Sequence, residues 1–127
     1  MRKYLNVCLI ILVLMIGVVS TGHADHCFST LDVPGATETY ASGINGTGNI
    51  VGFYYAGTGK FGFLDTGGNL TFLTAGPDTT ATSAIGINDT GEIVGSYGDP
   101  TGTSHGFFYA GGNFLPVNVP GATYTEA

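Results

Sequence analysis

The chain repeats itself at a spacing of 43 residues, and this limits its fold more than any other feature. Gly43-Ile44-Asn45-Gly46-Thr47-Gly48-Asn49-Ile50-Val51-Gly52 falls on Gly86-Ile87-Asn88-Asp89-Thr90-Gly91-Glu92-Ile93-Val94-Gly95. Pro34, Pro77 and Pro120 share one phase, as do Thr37, Thr80 and Thr123, then Thr39, Thr82 and Thr125. Val33-Pro34-Gly35-Ala36-Thr37 recurs at Val119-Pro120-Gly121-Ala122-Thr123. A repeat of this length is one supersecondary unit that buries its faces against its neighbours. The range of 40–50 residues is that of propeller blades and related arrays.

Each period reads as four short strands. In the second copy these are Thr82–Ile87, Glu92–Tyr97, His105–Ala110 and Phe114–Val119. Alternation places Ile85 and Ile87 on one face of the first strand, and Ala84 and Gly86 on the other. Asn88-Asp89-Thr90-Gly91 is a turn, in which the Asn side chain bonds the backbone and Gly supplies a positive φ. Gly98-Asp99-Pro100-Thr101-Gly102 breaks the next connection, and Gly111-Gly112 is a hairpin turn. The first copy matches after one compensated slip, and Phe28–Val33 reads as a lone fourth strand ahead of it. No window outside the N-terminal segment has helical periodicity. Four antiparallel strands per unit predict an all-β fold of β-propeller-like blades, a partial propeller, with units at about 33–76 and 76–119 and a partial third unit at 120–127. A β-sandwich or a β-solenoid of the two repeats is the alternative. Ala41, Gly43, Ala84 and Gly86 suit a strand crowded by its neighbours, which predicts a place near the propeller axis.

The N-terminus has a different character. Arg2 and Lys3 precede an apolar run from Leu5 to Val19, and small residues at Gly22 and Ala24 precede Asp25. This layout predicts a signal peptide over residues 1–24, a mature domain at 25–127, and a secreted or cell-surface location. The run of 15 residues is short for a bilayer span, which needs about 20. Cleavage would leave one cation, Lys60, against nine acids, a formal charge of −8. Nucleic-acid binding needs clustered cations and is excluded as a function class, as is membrane attachment after cleavage. Cys8 would leave with the leader, so Cys27 would be the one thiol and no internal disulfide is expected.

These repeat motifs resemble the HAF family of bacterial extracellular repeat proteins. Its unit runs from Pro-Gly-Ala through Gly-Ile-Asn-x-x-Gly-x-Ile-Val-Gly to His-Ala/Gly-Phe. The matching residues are Pro34-Gly35-Ala36, Gly43–Gly52, Gly86–Gly95, His105-Gly106-Phe107 and Pro120-Gly121-Ala122. The resemblance covers nearly all of 28–127. It implies an exported or surface protein, propeller-like in fold, and carries no established catalytic residues. It departs at Phe61, where the family has His. The family has more units, so the chain is expected to be a fragment or truncated product.

No catalytic, cofactor or metal site is predicted. His105 is the one histidine inside a repeat, and Phe61 holds its slot in the other copy. A structural imidazole, stacked in the sheet and donating to a backbone carbonyl, is expected there. His26 and Cys27 are neighbours whose side chains diverge in a strand, so zinc is not expected. Asn88–Glu92 has only two of the carboxylates a calcium loop wants, and Asn45–Asn49 has none. Asp78 and Asp99 sit in Pro-containing loops and are expected to be exposed. Gly57-Thr58-Gly59-Lys60-Phe61-Gly62 spells a dinucleotide fingerprint, but a strand follows it instead of a helix. The aromatic runs Phe53-Tyr54-Tyr55 and Phe107-Phe108-Tyr109 put rings on both faces of their strands. Most are expected between packed blades, with an exposed sugar- or peptide-binding strip as the other reading. The function predicted is a non-catalytic binding or structural module, with self-association through open blade faces and an unidentified glycan or protein ligand. The alternative is a fragment of a propeller-scaffold extracellular enzyme acting on glycans or peptides, which would need convergent carboxylates.

Overall fold

The computed structural model describes residues 27–127. The signal-peptide segment, Asp25 and His26 lie outside the described residues. Contacts divide the chain into Met1–Thr30 and Leu31–Ala127, and among the described residues every strand lies in the second unit; Phe28–Val33, expected as a lone strand, forms none. These are β1 Glu38–Ile44, β2 Ile50–Ala56, β3 Gly59–Thr66, β4 Asn69–Leu73, β5 Ala81–Ile87, β6 Ile93–Gly98, β7 Ser104–Ala110 and β8 Asn113–Val117. Among the described residues no helix is long and apolar enough to cross a membrane.

The fold is all-β, and its two repeats are β1–β4 and β5–β8. Inside each repeat the strands form an antiparallel meander, β1-β2-β3-β4 and β5-β6-β7-β8. The eight strands make one open sheet, because β3 and β5 are joined in parallel at the single pair Lys60–Ala81. Hairpin-length connections alone predict only antiparallel neighbours, so this parallel junction is an addition to the sequence reading.

Beyond that pair β5 leaves β3 and crosses one face of the first repeat. A Cβ on Gly62 would lie 3.3 Å from Thr82 Cγ2, and one on Gly43 would lie 3.2 Å from the Ile85 carbonyl oxygen. We call this the forward face. Pairing and alternation assign Val51, Phe53 and Leu64 to it, and Leu73 lies opposite Gly62 on the same side. Thr82, Ala84, Ile93 and Phe107 occupy the rear face of the second repeat. The core is the contact between these two faces: Val51, Leu73, Ala84, Ile93 and Phe107 form one cluster, each at most 1% exposed. No repeat could bury these side chains alone, which is why neighbours must stack.

Strict alternation fails at one place. Pairing slips between Ala41 and Gly43 in β1, and at the equivalent Ala84 and Gly86 in β5. This irregularity puts Ala84, opposite Gly95, on the same face as Ile87, opposite Ile93. The sequence reading had separated them, and the extra residue of a bulge is the physical reason. The crowding inferred from Gly43 is present, since β5 passes directly over it. The tightest glycines are Gly52 and Gly95. A Cβ there would fall 1.9 Å from the Tyr40 carbonyl oxygen and 2.1 Å from that of Ser83, and 2.9 and 2.7 Å from the rings of Phe63 and Phe107. Each glycine is a seat for the fully buried ring beside it.

The junction between repeats is itself repeated. Ser104 bridges Tyr124 in parallel, as Lys60 does Ala81. A Cβ on Gly106 would meet Thr125 Cγ2 at 3.5 Å and the Val117 carbonyl oxygen at 3.0 Å, matching the Thr82 and Leu73 neighbours of Gly62. The turn before each junction recurs three times, with Ala36, Thr79 and Ala122 donating to the carbonyls of Val33, Gly76 and Val119.

Candidate functional site

Three groups of polar or aromatic residues stand apart from the core. The first is the set of five-residue turns. In Asn45–Asn49 the Asn45 Oδ1 accepts from the Thr47 N–H, the Thr47 hydroxyl and the Asn49 N–H, at 3.2, 2.8 and 2.9 Å. Asn88 does the same for Thr90 and Glu92. Gly48 and Gly91, at φ 85° and 83°, complete the reversal. Asp99 uses the same bonds to Thr101 and Thr103. The shared Asx-x-Thr-Gly pattern was present in the sequence, but Pro100 made it look like a mere breaker.

The first two turns also bond to each other. Gly46 N–H donates to Asp89 Oδ1 at 2.7 Å, and Asn45 Nδ2 donates to the Asn88 carbonyl at 3.0 Å. The carboxylates that suggested a calcium loop are thus committed within the protein. Glu92 accepts from Asn88 Nδ2 and the Thr90 hydroxyl. Those bonds hold its carboxyl below the ordinary value, the Asn88 bond most. Among the described residues no group of three His, Cys, Asp or Glu could hold a metal ion.

The second group surrounds His105. Its ring stacks on Tyr97 at 5.1 Å, as Phe61 packs on Tyr54 at 5.5 Å in the first repeat. The imidazole does not reach a backbone carbonyl, contrary to the sequence reading. Nε2 lies 3.0 Å from Asp99 Oδ2 and Nδ1 lies 3.0 Å from Asn118 Oδ1. Two oxygen neighbours favour the doubly protonated ring, and the Asp99 hydrogen bond raises the His105 pKa first, then Asn118. The same bond pulls Asp99 well below the usual carboxylate range, helped by Thr101 and Thr103. The strand register places His105, and the Asx turn places Asp99. Both nitrogens are engaged, so the ring is a poor general base. Asp78 is exposed as expected, whereas Asp99 is only partly exposed, at 27%, because its loop folds against this partner.

The third group lies on the forward face of the first repeat. Tyr40 stacks on Phe53 at 4.9 Å, and Tyr55 meets both edge-on at 6.2 and 6.0 Å. Lys60 Nζ sits 4.0 Å from the Phe53 ring centroid, in cation–π geometry. Tyr40 is 46% and Tyr55 37% exposed. The Tyr40 hydroxyl donates to Glu38, which raises its pKa and keeps it protonated. Phe53 and Lys60 also line a cleft of about 290 Å³, together with Ser83, Ser96, Ser104 and Tyr124.

The platform does not recur. By strand register, Ser83, Ser96 and Gly98 stand where Tyr40, Phe53 and Tyr55 do. The second repeat builds the same strands without these rings, so the fold does not require them. The two aromatic expectations divide between residues: Phe107 is packed, as is its counterpart Phe63, whereas Tyr55 is exposed, and Tyr40, which the sequence did not single out, is exposed beside it. Comparing the two copies ring by ring would have shown this from the sequence. No family model, curated protein or solved structure matches the chain.

Proposed function

We propose that this chain is an exported, non-catalytic repeat module, a member of the HAF-like class, whose units stack as propeller-like blades and whose exposed faces bind. The observation that carries this reading is the recurrent junction. Gly62 with Thr82, and Gly106 with Thr125, use the same contacts one repeat apart. Such regularity serves an array that extends by adding units. The Tyr40–Phe53–Tyr55 platform beside Lys60 supplies a surface for a ligand with a flat apolar face, such as a sugar ring or an aromatic peptide side chain. Self-association through the open faces is part of the same proposal.

The test is expression with the native N-terminus in an exporting bacterial host. The exported product should begin at Asp25 by intact mass, because Gly22 and Ala24 form the small-residue cleavage pattern. It should be retained on a glycan or peptide array through a Tyr40- and Phe53-dependent contact, and hydrolyse nothing on it. Turnover of a glycan or peptide that disappears in Asp99→Asn would overturn the non-catalytic reading.

A further inference from the structure

The segment Val119–Ala127 and the segment Val33–Ala41 carry the same residue at seven of nine positions: Val, Pro, Gly, Ala and Thr, then Thr and Ala. The two remaining positions exchange the same residues, Glu38 and Tyr40 against Tyr124 and Glu126. Each pair makes the same tyrosine-to-glutamate hydrogen bond, at 2.9 and 2.6 Å. Val33 N–H donates to Thr39 Oγ1, and Val119 N–H to Thr125 Oγ1.

Val119–Ala127 lies in a slot along β7. The Thr125 N–H donates to the Ser104 carbonyl at 3.0 Å, and Thr125 and Ala127 pack over Gly106. It covers the forward face of the second repeat only in part. Val94 stays 37% and Val117 44% exposed, whereas their counterparts Val51 and Leu73, under the second repeat, are 0% and 1% exposed. The rear face of the first repeat shows a complementary deficit at its Ile44–Ile50 end, although Phe63 on the same face is fully buried. Ile44 is 66% exposed there, and a hollow of about 310 Å³ is lined by Ala41, Gly43, Ile44 and Ile50. The same positions of the second repeat, Ala84 and Ile93, are fully buried against Val51 and Leu73. β1 is also the terminal strand of the sheet, with one edge open.

Resting on the self-association reading, we propose that the partner of this surface is a second copy of the chain, whose Val33–Ala41 displaces Val119–Ala127 from the β7 slot. The incoming β1 keeps its pairing with its own β2, as β5 keeps β6 while joining β3. Val94 and Val117 of one copy then enter the hollow beside Ile50 of the next. The contact is head-to-tail, so it closes into a ring or continues as a fibre, and its edge-to-edge component is strand addition. Val119–Ala127 is an internal competitor that holds the slot until a second copy arrives.

The test uses the mature chain, residues 25–127, in two variants. Thr125→Pro removes the N–H given to Ser104, which weakens the resident segment and leaves the incoming one intact. The concentration for half-assembly by light scattering should fall about five- to tenfold, the equivalent of one backbone hydrogen bond. Gly106→Val fills the slot against either occupant and should raise it at least as much. A synthetic peptide with the Val33–Ala41 sequence should bind the Thr125→Pro variant and block its assembly, while a scrambled peptide should not. If the wild type assembles but neither variant nor peptide changes the midpoint, strand exchange is wrong and the module reading stands. If wild type and Thr125→Pro are both monomeric at every concentration, both readings fail.

Discussion

Val51 and Val94 are the same residue at the same repeat position, on β2 and β6, and differ only in what covers them. Val51 is fully buried beneath the second repeat, whereas Val94 is 37% exposed. Val51→Ala removes two methyl groups from the core. At about 0.8 kcal/mol per buried carbon the transfer loss is about 1.6 kcal/mol. The cavity left between two packed faces brings the total to about 2–3 kcal/mol. Val94→Ala starts from a side chain already partly in water, and solvent fills the space it leaves. Its cost should be about 1 kcal/mol or less. Loss of strand propensity is common to both and cancels in the comparison. The assay is urea denaturation followed by circular dichroism, at a concentration low enough that the transition does not depend on it. The midpoint should shift at constant slope, more for Val51→Ala by the equivalent of about 1–2 kcal/mol. Equal shifts would refute the packing of the second repeat on the first, and so the reading of the junction.

Other perturbations probe separate parts of the structure. Gly95→Ala should destabilise the chain by about 1–3 kcal/mol or prevent folding, because a Cβ there collides with the Ser83 carbonyl and the Phe107 ring; an unchanged melt would contradict that seat. His105→Phe should fold normally, since Phe61 fills the equivalent slot against Tyr54, and a lost binding activity would show that His105 does more than pack. The wild type should gain stability over that variant in a defined pH window, followed by thermal melts. The Asp99 carboxyl is depressed, so its share is present above the ordinary Asp value of about 4 and lost in more acid solution. The His105 pKa is raised, so its share is full below about 6.5 and disappears as pH rises through the raised value. A difference that grows toward alkaline pH would have the wrong sign.

Much of the backbone was legible because two copies of one motif check each other. Gly43–Gly52 and Gly86–Gly95 located the first two strands and the Asx turn of each repeat to within a residue or two. The bulge at Ala41 and Ala84 was not legible, since nothing in a small-residue strand marks where alternation slips. Nor was the Lys60–Ala81 junction, which is one pair between strands with no shared pattern. The Asp99–His105–Asn118 contact joins residues brought together by register across β7 and the chain beyond β8, so no local spacing announces it. The aromatic platform was partly legible: Phe53 and Tyr55 stood out in the sequence but Tyr40 did not, and the lack of rings at Ser83, Ser96 and Gly98 is what separates the three from the packed Phe63 and Phe107.

The central claim is that each repeat is completed by a neighbour, and that the exposed forward and rear faces are halves of one interface. Sedimentation equilibrium of residues 25–127 over a hundredfold range of concentration addresses it most directly. The account predicts a mass that rises with concentration toward assemblies of several chains, with a melting temperature that rises alongside. A single compact monomer, with a cooperative melt that does not move with concentration, would contradict it and show that the two repeats satisfy one another without a third.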